Sequence, residues 1–152
     1  MSEPSTSCVL VVEDEWLIAA TLEDMLRELG YQVRGPAARV TEALELLDGQ
    51  PVDVAVLDIT LHAENSFPIA RALKDRGVPF VFLTGYVCND IPDEFRDAPM
   101  LNKPTEQARL AACLRELLAR RARGKGDGRW NRRAEPAGPA DKRPPAAGNM
   151  GR

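Results

Sequence analysis

Short apolar runs, each closed by a charged or hydroxyl side chain, constrain this chain more than any other feature. "CVLVV" ends at Glu13 and Asp14, "VDVAVLDI" near Asp58, "VPFVFLTG" at Thr84 and the brief "PMLN" at Lys103. The runs are β-branched and nearly continuous rather than alternating. That is the habit of strands buried on both faces of a parallel sheet.

Segments at helical spacing lie between them. Ile18, Leu22, Leu26 and Leu29 share one face and stop at Gly30. Ala43, Leu44 and Leu47 make 41–47 a short helix, and Ile69, Ala70 and Leu73 do the same over 67–76 before Gly77. Leu110, Leu114, Leu117 and Leu118 line a long final helix over 105–123, with Thr105 offering a capping hydroxyl. A weaker strand, "YQVRGPA", ends at Gly35-Pro36. Strand and helix alternating with short connections predict an α/β fold, a parallel sheet with helices on both faces. In such sheets function sits at the carboxyl ends of the strands.

Glu13, Asp14, Asp58, Thr84 and Lys103 all stand at such ends. Taken singly, each has a commoner use: an Asp as a turn residue, a Thr as a strand terminator, a Lys-Pro as a surface loop. Taken together they describe a site. Crowded carboxylates need an offsetting charge, and a hard divalent cation such as Mg²⁺ supplies one through oxygen ligands. A lysine and a hydroxyl beside them suit the oxygens of a phosphoryl group, toward which one carboxylate can act as nucleophile.

Composition narrows the partners. The 152 residues carry a net charge of -3, but residues 1–120 hold -9 and residues 121–152 hold +6. An acidic body argues against wholesale nucleic-acid binding. Cys8, Cys88 and Cys113 make an odd set without C-x-x-C spacing, read as reduced thiols. There is no apolar run of membrane-spanning length and no signal-peptide pattern at the N-terminus, so a soluble, cytoplasmic protein is expected. Residues 123–152 are rich in Gly, Pro, Ala and Arg and poor in large apolar residues, the composition of a disordered basic tail that can contact an acidic partner. Trp130, among Arg129, Arg132 and Arg133, is the one spot in it that stands out.

The motifs "VVEDE", "VLDI", "FLTG" and "NKP", each after its own strand, resemble those of the receiver domain of two-component response regulators over residues 7–122. The resemblance implies a doubly wound five-stranded parallel sheet in the order 2-1-3-4-5. It implies that Asp58 accepts a phosphoryl group from a histidine kinase. It implies Mg²⁺ held by Asp14, by Glu13 through water, by Asp58 and by the backbone carbonyl of Thr60. Thr84 and Lys103 then bind phosphoryl oxygens, and the Lys103–Pro104 bond is cis. Such a protein is a phosphoacceptor rather than an enzyme, catalysing only its own phosphorylation and dephosphorylation.

This sequence departs from most receivers at Met100, where an aromatic switch residue is usual. The stretch from Thr84 to Lys103 is also short and broken by Pro92 and Pro99, so a fourth helix there is expected to be short or irregular. Both departures resemble a receiver subfamily named for its Phe-Ala-Thr-Gly-Gly/Tyr motif, here Phe82-Leu83-Thr84-Gly85-Tyr86. That likeness implies a single-domain regulator working with kinases of the HWE or a related type. No DNA-binding or enzymatic output domain is expected after residue 122, so output falls to a protein interaction, a phosphate sink or feedback on a kinase.

Two tuning positions follow. Tyr86 and Thr60 flank the phosphoryl group in receivers, and Tyr86 is read as a shield for the acyl phosphate. With Met100 in place of the aromatic, the segment before Lys103 is itself expected to report phosphorylation by an order–disorder change. His62, the lone histidine, is read as an exposed loop residue, and Trp16 as either a reporter or a helix-start residue. Two other readings stay open: a receiver that binds partners without phosphorylation, and a metal-dependent phosphatase with a nucleophilic Asp. The latter enzymes usually carry Asp-x-Asp after the first strand; here Asp58 follows the third and position 60 is Thr.

Overall fold

A computed structural model describes residues 6–62, 64–85 and 91–127, with side chains described through residue 122. Its central strands are β1 (Cys8–Val12), β3 (Val54–Asp58) and β6 (Phe80–Thr84), every residue of which is buried. β2 (Gln32–Ala37) and β7 (Met100–Asn102) form the edges. All pairings in this sheet are parallel, in the order β2-β1-β3-β6-β7, which counted along the chain is the expected 2-1-3-4-5.

The buried strands sort their side chains by alternation. Val9, Val11, Val54, Val56, Val81 and Leu83 face Leu22 and Leu26 of α1 (Trp16–Glu28) and Leu110, Leu114 and Leu117 of α4 (Gln107–Asp127). Leu10, Val12, Ala55, Leu57, Phe80 and Phe82 face the other way. They meet Ala43 and Leu47 of α2 (Val40–Gly49) and Ile69 and Leu73 of α3 (Phe67–Asp75). A continuous apolar run is needed because both faces are covered. Ile18 and Leu29, read as part of the α1 core stripe, are only half-buried.

β2 does not stop at Gly35-Pro36. It continues to Ala37 across an irregularity in its register with β1. Gly35 has φ +98°, and a Cβ there would lie 2.8 Å from the Val11 carbonyl oxygen and 2.9 Å from Ala37 N, so only glycine fits. Among the described residues the cis bonds are Gly35–Pro36 and the expected Lys103–Pro104.

Between β3 and α3 the chain forms a small antiparallel ribbon, β4 (Thr60–Leu61) with β5 (Glu64–Asn65), where the sequence suggested only a loop. Between β6 and β7 the described residues hold a 3-10 turn, Asp93–Phe95, in place of a regular helix. Phe95 is 1% exposed. Its ring stacks on Phe67 at 5.6 Å and meets Phe80 and Phe82 edge-on at 6.0 and 5.8 Å. α4 runs through Asp127, past the end at 123 read from the leucine pattern. Thr105 does not act as its cap; the Thr105 hydroxyl lies against the Glu106 carbonyl, 3.5 Å away.

Candidate functional site

The five residues singled out at strand ends converge. Glu13 directly follows β1, and its N–H donates to the Ala37 carbonyl at 2.9 Å, tying it to the end of β2. Asp58 closes β3 and Thr84 closes β6; both are buried. Lys103 follows β7, held by its N–H donating to the Thr84 carbonyl at 2.9 Å. From there the ammonium reaches back over the sheet. Lys103 Nζ donates to Asp58 Oδ2 at 3.1 Å and to Glu13 Oε1 at 3.3 Å.

Glu13, Asp14 and Asp58 each bring a carboxylate oxygen within 4.8 Å of the others. Asp14, Asp58, Thr60, Thr84 and Lys103 line one cleft of about 350 Å³, together with Glu15, Ile59, His62 and Gly85. The Thr60 N–H donates to Asp58 Oδ1 at 3.3 Å, and the Glu15 N–H to Glu13 Oε2 at 3.1 Å. Met100 does not line the cleft. It pairs with Phe82 on the edge strand and is 39% exposed. Tyr86, Cys88 and Trp130 lie outside the described residues.

Charge at this site is strained. Burial, with the Asp58 charge beside it, pushes the Glu13 carboxyl up to about 7, although the Glu15 N–H and Lys103 pull the other way. Burial alone would lower Lys103, but hydrogen bonds and charge from Asp58 and Glu13 outweigh it and hold the ammonium above its ordinary value.

The sequence reading missed His62. Its side chain is 80% exposed, as a loop residue's would be, yet Nδ1 lies 2.5 Å from Asp14 Oδ2. The signal was its closeness to Asp58 in the chain: a ribbon that folds straight back returns its tip to the strand ends. Trp16 is the first residue of α1; it and Leu17 are 79% and 62% exposed beside the cleft's Glu15.

The chain is similar to proteins that carry receiver domains. The family model described as "Response regulator receiver domain" matches residues 9–115. The chain is 34% identical over 91 residues to the transcriptional regulatory protein PdtaR of Mycobacterium tuberculosis, covering 59% of this chain and 44% of that one. It is 32% identical over 118 residues to the TorCAD operon transcriptional regulatory protein TorR of Escherichia coli O157:H7, covering 74% and 50%. The chain thus spans half or less of the curated relatives it matches. Among solved structures, SdrG from Sphingomonas melonis Fr1 superposes with a TM-score of 0.67 at 40% identity, covering 74% of this chain and 97% of that one. The chain belongs to the response regulator receiver domain family of two-component signalling.

Proposed function

We propose that this receiver takes a phosphoryl group from a histidine kinase onto Asp58 and signals through protein interaction or serves as a phosphate sink. The observation that carries the reading is the reach of Lys103: one ammonium bridges Asp58 and Glu13 at 3.1 and 3.3 Å, inside a cleft that Thr84 also lines. A cation and a hydroxyl are thus set beside a buried carboxylate.

The donor set fits Mg²⁺. Three carboxylate oxygens within 4.8 Å of one another are hard ligands, and a Glu13 carboxyl pushed up to about 7 marks a charge that burial disfavours until a cation offsets it. Asp14, Asp58, Glu13 through water and the Thr60 carbonyl would hold the ion. When bound it supplies positive charge to the phosphoryl oxygens. Asp58 attacks phosphorus; the new P–O bond forms as the P–N bond to the kinase histidine breaks, and the imidazole nitrogen leaves with the electron pair. Lys103 follows the charge from Asp58 to a phosphoryl oxygen, and Thr84 donates its hydroxyl to another.

The Phe82–Tyr86 motif and Met100 favour the Phe-Ala-Thr-Gly-Gly/Tyr subfamily and a kinase of the HWE or related type. The receiver then spans residues 7–122, and the basic residues after it are a contact for an acidic partner. Intact-mass measurement with acetyl phosphate and Mg²⁺ tests the core of this. The wild type should gain one phosphoryl group and Asp58→Asn none. No adduct on the wild type would favour a phosphorylation-independent receiver, and rapid turnover of phosphate esters a phosphatase.

A further inference from the structure

His62 stands at the turn of the β4–β5 ribbon with φ 39°, left-handed backbone that few side chains adopt. Two donors of this one residue converge on a single oxygen. Its backbone N–H donates to Asp14 Oδ2 at 2.7 Å, and its Nδ1 lies 2.5 Å from the same atom. The exposures are unequal: the imidazole is 80% exposed and the Asp14 side chain 8%. An exposed ring gains little packing from this contact. The buried carboxylate gains a fixed orientation.

The ribbon beneath the ring is anchored on several sides. Leu61 is fully buried and pairs with Glu64, while Thr60 pairs with Asn65. Glu64 Oε2 accepts from Val40 N at the start of α2, and Asn65 Oδ1 from Phe67 N at the start of α3. At the ribbon's root the Thr60 N–H donates to Asp58. One short element therefore touches two of the three clustered carboxylates, Asp58 at its root and Asp14 at its tip.

We propose that His62 is a positioning residue for the metal-binding carboxylate of Asp14. Its two donors occupy Oδ2 and leave Oδ1 to face the cation. The inference rests on the reading of Glu13, Asp14 and Asp58 as the Mg²⁺ site. Outer donors of this kind fix the angle of a ligating carboxylate, and their loss typically costs 10- to 100-fold in metal affinity. For the ring to donate, its proton sits on Nδ1, which leaves Nε2 toward solvent. A competing arrangement, in which the imidazole vies with the cation for Asp14, requires the opposite sign.

Calorimetric Mg²⁺ titration of the full chain, with no phosphodonor present, decides the matter. His62→Gly keeps the left-handed turn and the backbone donor but deletes the ring. His62→Asn also tolerates that backbone and carries an amide nitrogen on the same γ carbon as Nδ1. We expect binding to weaken about tenfold in His62→Gly and most of the loss to return in His62→Asn, with metal-free melting curves alike in all three proteins. Unchanged or tighter binding by His62→Gly overturns the role of His62 alone, as does failure of His62→Asn to restore it. A wild type that binds no Mg²⁺ overturns the metal reading as well.

Discussion

Replacing Glu13 with glutamine should stabilise the metal-free protein at alkaline pH. Glu13 is 2% exposed, with Asp58 beside it and the Glu15 N–H and Lys103 in partial compensation. Its carboxyl has an ordinary value of 4.5 and is pushed up to about 7 in the folded chain. Between those values the folded state keeps a proton that the unfolded state has lost. Stability therefore falls as pH rises through that window and levels off above it. A shift of this size is worth about 3 kcal/mol, and relaxation around Lys103 will trim it. Glutamine cannot ionise, so any constant cost of the amide cancels when the two proteins are compared across pH. Urea unfolding in EDTA, followed by helical circular dichroism at pH 5 and pH 8, reads the difference directly. Part of the effect already lies below pH 5, so the wild type should lose about 2 kcal/mol relative to Glu13→Gln between the two. Saturating Mg²⁺ at pH 8 should restore much of it by binding the folded state alone. Parallel stability curves in EDTA would refute the argument that burial of this carboxylate governs the site's charge.

Phe95→Ala removes a ring with 1% exposure from the cluster of Phe67, Phe80 and Phe82, and should cost about 3–5 kcal/mol in urea unfolding; a loss under about 1 kcal/mol would mean that the turn does not anchor to the core. The amides of Phe95, Arg96 and Ala98 already donate to Pro92, Asp93 and Phe95 carbonyls at 2.9, 3.1 and 3.0 Å, so hydrogen exchange there should not change when beryllofluoride is added. Slowing at those three amides would return the whole stretch before Lys103 to the role of an order–disorder switch.

Local pattern made the sheet legible. Each central strand is a buried run and each helix carries its apolar stripe, which puts the carboxyl ends of the strands along one edge of a parallel sheet; the order in which they lie followed only from the likeness to receivers. That is why Glu13, Asp14, Asp58, Thr84 and Lys103 could be grouped before any coordinates. Three features escaped because they depend on contacts between segments. The Gly35–Pro36 irregularity is set by the approach of Val11 from a neighbouring strand. The anchoring of Phe95 needs rings contributed by α3 and β6, and Arg71 and Lys74 flank it from α3 at 5.7 and 5.2 Å. The contact of His62 with Asp14 spans 48 positions and is made by a ribbon of two-residue strands, too short for any period to show.

The anchoring of Phe95 also bears on how a charge at Asp58 would be felt elsewhere. The expectation of a segment that orders as a whole does not suit a turn whose central ring is already buried. The edge strand offers a shorter route. Lys103 holds Asp58 with its side chain and Thr84 with its backbone, so the same residue joins the carboxylate to the β6–β7 pairing. Drawing the ammonium from Asp58 toward a phosphoryl oxygen would pull on Asn102 and Leu101, which pair with Thr84 and Leu83. Met100, next along that strand, is 39% exposed. A flexible thioether there needs no aromatic rotation to register a shift of its own backbone. If Asp58 takes a phosphoryl group as proposed, the lack of an aromatic residue at Met100 would leave the position of the edge strand, in place of a side-chain rotamer, as the readout.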